Sequence, residues 1–484
     1  MKCLTIGAAV LLLAGGCTEP RLFSDAGRSS ASARGVDARW LDEMYRDELS
    51  SPVTRTSAAH PRSFGSPADG IDERSALHDL VAFAVAHHPT VQAAYAEWAA
   101  AKERIVQAGT LPDPQLSYGI MVEQIDRDRD PIGHSFGVSQ MLPWFGKLDA
   151  QANVQSEAAH AAHKRLAAEQ ARVAQAVKES YAEYGYTTLA RAIVKQHREL
   201  LSSVEEVIRI RYRGAEVGLP DLLRVQVEGD QLDVELRDLE DMLTAQRARL
   251  NAAIGRPAGA VLPEAQRLPE VAFDADDEHL IALLAQQSPQ LRVQQAEVAA
   301  RREAMRVARL DYFPDIMLGV EYGLNAARRM SRMDGGGSDT LTGMISINLP
   351  IWREKYDAGV REALAEFGAS LKMLTSRQYE AEADLKMALY GLRDAQRRVD
   401  LYGDVLRARG EQVLQATITS YRVGEATFTD LVQAQRELLT FELAHERALA
   451  DRYTRVAEIE ALMGRHVHNI SSPNDHVAGE RTAP

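Results

Sequence analysis

Apolar residues recur every seven positions along two long stretches of this chain. From Trp352 to Tyr421 the sequence carries no Pro. Leu364, Leu371, Leu385, Leu392, Val399, Leu406 and Val413 fall on one grid, interrupted only by Gln378, and a second seam of Phe367, Leu374, Ala381, Ala388, Ala395 and Tyr402 lies three residues further on. Such spacing predicts an underwound helix in a left-handed supercoil. The stretch from Gly146 to Arg211 repeats the plan, with Leu166, Val173, Val194, Leu201 and Ile208 on the grid and Ser180 and Thr187 filling it. At 1.5 Å per residue its roughly 66 residues measure about 100 Å. Two shorter helices, about Leu77 to Gly109 and Pro220 to Ile254, together give about 69 residues. Two short helices stacked end to end therefore match one long helix, and the second half shows the same match.

Between the helices the period drops to two. Leu116, Tyr118, Ile120 and Val122 alternate with Ser117, Gly119, Met121 and Glu123; Ile316, Leu318, Val320, Tyr322 and Leu324 alternate with Asp315, Met317, Gly319, Glu321 and Gly323. Phe136, Val138 and Leu142, and then Leu341, Ile345, Ile347 and Leu349, mark two further strands opposite Ser135, Gly137, Ser139 and Thr342, Met344, Ser346, Asn348. The four segments, about 114–124, 134–143, 314–325 and 340–350, have roughly the 9 to 11 residues a tilted strand needs to cross a bilayer. A soluble sheet with one buried face has the same alternation. Trp144, Phe145 and Trp352, placed where strand gives way to helix, favour the membrane as an interfacial girdle,. Four strands are too few to close a transmembrane barrel, whose minimum is about eight, so the barrel has to be shared between chains.

The chain is duplicated. YRVGEATFTDLVQAQ, Tyr421 to Gln435, answers YRGAEVGLPDLLRVQ, Tyr212 to Gln226, and LNAAIGRP, Leu250 to Pro257, answers IEALMGRH, Ile459 to His466. Pro89 and Pro289, Glu97 and Glu297, and Pro112-Asp113 and Pro314-Asp315 keep the correspondence toward the N-terminus. The fold class is mainly α with a small β part, built as a helix-strand-strand-helix-helix unit made twice. The units span 77–256 and 277–465, with a Pro-bearing connector at 257–276 and a polar tail at 466–484.

Composition places the chain outside the cell's interior. Lys2, the apolar run Leu4 to Leu13 and the small residues Ala14-Gly15-Gly16 before Cys17 have the layout of a signal peptide over 1–16, with Cys17 as a lipidation site,. Cleavage there leaves 468 residues (484 less 16), begins a lipidated extension over 17–76, and takes the net charge from −13 to −14 with the loss of Lys2. That acidity argues against nucleic acid or an anionic lipid surface as partner. With Cys3 removed and Cys17 lipidated, no intramolecular disulfide or Cys metal site is available,. Thr18 is not the Asp that holds lipoproteins at the inner membrane, which predicts sorting to the outer membrane. A short helix is expected around Trp40 to Leu49.

Through the duplicated plan and the two Y-x8-D-L turns, residues Leu77 to Arg465 resemble the TolC-type outer-membrane factor family, lipoprotein subtype: the exit ducts of tripartite efflux pumps and type I secretion systems. The resemblance implies a homotrimer whose chains each give four strands to a twelve-stranded barrel and their coiled helices to a periplasmic α-barrel. A periplasmic adaptor and an inner-membrane pump would dock beneath, and VSQMLPWFGK is similar to members paired with resistance-nodulation-division pumps for drugs or heavy metals. It implies that Asp430 is a constriction carboxylate repeated by threefold symmetry, and that Asp221 and Tyr421 belong to the latch holding the coils closed. Some members carry a further Asp where this chain has Gln433 and an Arg where it has Ala426; Arg224 stands as a substitute for part of that network. Asp221 and Asp430 also precede apolar helical runs, the positions of N-capping groups.

No P-loop, HExxH or CxxC occurs, so no enzyme and no cofactor is expected,. His160 and His163 lie i,i+3 and His87-His88 and His466-Val467-His468 are close, yet none has a third ligand in reach of the sequence, and no metal site is assigned,. The competing functions are a duct for type I protein secretion and a lipid-anchored periplasmic coiled-coil adaptor or scaffold, the second of which needs no membrane-length strands.

Overall fold

A computed structural model describes residues 71, 75–121, 133–265, 267–268, 276–325 and 339–465. Cys17, the helix expected around Trp40 to Leu49 and the tail 466–484 lie outside these residues.

The first repeat runs α1 (Leu77–His87), α2 (Pro89–Gly109), β1 (Gln115–Met121), β2 (Gly133–Leu142), α3 (Lys147–Arg213) and α4 (Leu219–Ile254). The second runs α5 (Asp277–Gln287), α6 (Pro289–Leu310), β3 (Ile316–Asn325), β4 (Thr340–Ile347), α7 (Arg353–Val399), a π-helical turn (Asp400–Leu406), α8 (Arg407–Val423) and α9 (Phe428–Met463). The helix expected from Leu77 to Gly109 is two helices. Pro89 disfavours helical geometry in the residue before it, and His88 is extended at φ −60°, ψ 133° while its ring accepts from the Thr90 N–H,.

End-to-end stacking of the short helices has a specific cause. Gly255 closes α4 at φ +87° and sits against Pro89, where a Cβ would come within 2.9 Å of Pro89 Cδ; Gly464 closes α9 at φ +67° against Pro289 in the same way. The Pro and Gly landmarks of each repeat are thus two sides of one contact. Matching cores form behind them: Leu80, Val91, Leu250 and Ile254 in the first repeat, and Leu280, Leu291, Ile459 and Met463 in the second.

All seven grid positions of α3 are buried, Ser180 and Thr187 included. The grid of α7 holds at Leu385 and Leu392 and then fails: Val413 is 49% exposed while its neighbour Leu414 is 4% exposed. The second seam slips likewise, from Ala395 to Gly410 where seven-residue spacing demands 409. Both slips are one residue, as expected of a π turn, which adds one residue to the helix. At that turn Gly403 leaves room for the ring of His445 from α9; a Cβ there would lie 2.7 Å from His445 Nε2.

The strands form one antiparallel sheet in the order β1-β2-β3-β4, with the repeats joined at β2 and β3. Register aligns Tyr118, Phe136, Tyr322 and Leu341 across one face, and Ser117, Gly137, Glu321 and Thr342 across the other. Among the described residues nothing covers the apolar face: Leu116 is 78% and Ile345 75% exposed. No described helix is long and apolar enough to cross a membrane. Helix α3 packs along α2 and α4 and also along α6 and α9, whereas α7 and α8 pack mainly on α6 and α9. Leu364, Leu371, Tyr379, Met387 and Tyr390 of α7 stay exposed.

Candidate functional site

The two helical turns that carry the repeated motif meet over a common core of Ile208, Val225, Leu414, Phe428 and Leu431. The second turn is built conventionally. Gly424 takes the left-handed conformation at φ +83°, its successor Glu425 donates to Ser420 O at 2.9 Å, and Thr427 caps α9,. The first turn differs by one position. Its glycine is Gly214, so the equivalent left-handed site falls on Ala215 at φ +60°, the one non-Gly residue with positive φ among those described. That geometry costs an L-residue about 1–2 kcal/mol. Ala215→Gly is therefore expected to stabilise the protein by about 1 kcal/mol, read as a raised thermal midpoint; a lowered midpoint would contradict the assignment of strain.

Asp430 is both an exposed carboxylate and part of a capping box. Its Oδ2 accepts from the Thr427 N–H at 2.8 Å and from the Thr427 hydroxyl at 2.7 Å, and its own N–H donates to Thr427 Oγ1 at 3.2 Å,. These bonds, the hydroxyl's first and the backbone's second, hold its pKa below the usual Asp value, so the charge is fixed,. Asp221 occupies the equivalent first-turn position of α4, half-buried, but the residue at the cap is Gly218 and supplies no side chain.

Tyr421 packs against Phe428 with its ring beneath the Arg211 guanidinium, 5.3 Å from ring centre to cation, and its hydroxyl is buried. Burial raises its pKa, with Arg211 opposing and Asp221 reinforcing, so Asp221, Arg211 and Tyr421 form one electrostatic group spanning both hairpins. Arg211 is also held by Glu216 at 3.1 Å. Arg224 stands apart from Tyr421 and donates to Thr429 Oγ1 at 2.9 Å, the residue before Asp430. Higher up, Arg436 pairs with the largely buried Glu228 and donates to Gln231 at 3.0 Å. Between these two ties lies a cavity of about 320 Å³ with Leu223, Val227, Phe428 and Val432 in its walls. Further from the turns, His197 bonds Glu442 at 2.8 Å and its carbonyl accepts from Gln435 at 3.0 Å.

At the opposite end, the sheet is fastened to the helices by polar contacts. The Trp144 ring stacks on Phe313 at 5.3 Å and the backbone N–H of Trp144 donates to Asp315, while Lys147 lies 3.0 Å from Asp311 and 3.3 Å from Asp315. Phe145 and Trp352 point outward and are exposed.

The expected gate residues thus divide. Asp221 and Tyr421 come together, Arg224 and Asp430 are linked through Thr429, and Arg211, Glu228 and Arg436 join a network that sequence periodicity does not reveal. Among the described residues no group of three or more His, Cys, Asp or Glu is placed to hold a metal; His163 instead lies against Trp98 at 4.9 Å.

With this geometry in place, comparison with known proteins gives a consistent result. Residues 280–465 match the family model described as outer membrane efflux protein. The chain is 20% identical over 433 residues to the cobalt-zinc-cadmium resistance protein CzcC of Cupriavidus metallidurans, covering 89% of this chain and 98% of that one. Among solved structures, the outer membrane protein VceC of Vibrio cholerae superposes with a TM-score of 0.68 at 17% identity, covering 81% of this chain and 96% of VceC. CusC, studied for its folding and transmembrane channel formation, superposes with a TM-score of 0.70 at 14% identity over 85% of this chain and 99% of its own.

Proposed function

We propose, from the premise that the chain belongs to the outer membrane efflux protein family, that it is a homotrimeric, lipid-anchored exit duct for small solutes delivered by an inner-membrane pump and a periplasmic adaptor. The observation that carries this reading is the sheet: among the described residues its apolar face is exposed, and its other face is lined mainly by Gly, Ser and Thr. Hydrocarbon on one side and water on the other satisfy both faces.

The same sheet supports three copies over two. Two chains would give eight strands, an interior that side chains fill; three give twelve and leave an aqueous lumen. Closure also covers the exposed flank of α7 with Leu371, Tyr379 and Tyr390, which a single chain leaves bare,. At the turns, three copies of Asp430 form a ring of fixed negative charge, and the Asp221, Arg211 and Tyr421 group together with the Arg224–Thr429 bond holds the two hairpins of each chain at that constriction. Phe145 and Trp352 anchor the membrane interface, with Trp144 packed behind them, and Cys17 carries lipid.

A metal-ion cargo, handled with a resistance-nodulation-division pump, is the reading that similarity to CzcC favours over drugs. The duct's own contribution to that choice is electrostatic, because a carboxylate ring favours cations. Fractionation tests the placement: the protein should remain with outer membranes through a high-salt wash and require detergent for release. Recovery in the salt wash would support the periplasmic scaffold instead.

A further inference from the structure

We propose that Glu321, in the middle of β3, is a second charge-selectivity element of the duct, a carboxylate ring inside the transmembrane barrel, far along the chain from the ring at the helical turns. The inference rests on the channel reading above. Glu321 projects from the small-residue face of the sheet, directly opposite Gly137 on β2 and Thr342 on β4. Along its own strand the neighbours on that face are Gly319 and Gly323, and the next rows carry Ser135, Ser139, Thr340 and Met344. Among the described residues of the four strands it is the one charged side chain on this face, and it forms no ion pair there.

Two physical arguments give this carboxylate a role. Glu is poorly suited to strands, and every neighbouring position on the face is filled by Gly, Ser, Thr or Met, so nothing in the packing calls for a long charged side chain. On the opposite face it would meet hydrocarbon, where a charge is costly; the pleat therefore assigns it to water. Twelve strands about 4.8 Å apart and tilted by about 40° give a backbone radius of about 12 Å. With the side chains reaching several Å inward, the axis lies within about one Debye length, ~8 Å at physiological salt. Three carboxylates at one height thus act on the whole lumen, unscreened by longer neighbours. They would admit cationic solutes more readily than anionic ones and bind multivalent cations arriving from the outer side.

Single channels of the full-length protein in planar bilayers test this through the reversal potential in a KCl gradient and through block by gadolinium added to each side. The wild type should be cation-selective and blocked from both sides. Glu321→Gln should lower the K⁺/Cl⁻ permeability ratio about two- to fivefold and abolish block from the outer side, while block from the helical side persists at Asp430. Glu321→Asp should retain both properties. An unchanged ratio and unchanged outer-side block in Glu321→Gln would overturn the role of Glu321 while leaving the channel intact. A wild-type protein that forms no conducting pore would overturn the channel reading itself, and this role with it.

Discussion

Asp430→Asn is expected to raise single-channel conductance about two- to threefold and to weaken block by divalent and trivalent cations applied from the helical side. Asn is the informative replacement because its side-chain oxygen can still accept from the Thr427 N–H, which keeps the first turn of α9 capped,. Alanine would remove charge and cap together and confound gating with a loss of about 1 kcal/mol of helix stability. Thr427→Ala is the matching control: it removes the capping hydroxyl and leaves the carboxylate. If the charge sets the constriction, conductance and block follow Asp430→Asn and not Thr427→Ala. Equal behaviour of the two variants, or no change in Asp430→Asn, would leave Asp430 a capping residue only.

Gly464→Ala is expected to destabilise the chain by about 2–4 kcal/mol, combining left-handed strain with crowding. The added Cβ would lie 2.7 Å from Pro289 Cγ and 2.9 Å from Cδ, against a ring that cannot rotate away. Gly255→Ala meets Pro89 and His88 in the same way and should behave alike. Gly424 has nearly the same backbone, φ +83°, with nothing within 4 Å of the Cβ position, so Gly424→Ala isolates the backbone contribution, about 1–2 kcal/mol,. Thermal midpoints of the detergent-solubilised variants should therefore rank Gly424→Ala well above the other two. Equal losses in all three would mean that the Pro contacts do not hold the stacked helices together.

These contacts indicate what a sequence can and cannot disclose. Pro89, Pro289, Gly255 and Gly464 are visible as repeated landmarks because duplication copied them, but only the folded chain places each proline on its glycine. The heptad of α3 was legible because the helix is unbroken over 67 residues, and Ser180 and Thr187 were correctly placed on it despite their polarity. The same grid falls one residue short in the second repeat, past the π turn. A π turn has no compositional signature, and Gly403 reads as an ordinary helical glycine until His445 is found against it. Nor does the position of Gly214 disclose that the left-handed site of the first turn is one residue later, at Ala215.

At the turns, the residues found by similarity are those on the repeated motif. Arg211, Thr429, Glu228 and Arg436 escaped because their contacts join segments more than two hundred positions apart and involve positions at which the repeats differ. Arg436 corresponds to Val227, and Thr429 to Pro220, under the offset that relates Tyr421 to Tyr212. Sequence periodicity reports which face of a helix is buried; it carries no signal for an ion pair formed by only one of two copies.

The mass of the particle extracted from outer membranes in mild detergent tests the shared barrel most directly. Three chains per particle, stable without cross-linking and conducting after reconstitution, is the result that the proposed shared barrel predicts. A single chain that stays folded and water-soluble once detergent is withdrawn would contradict it.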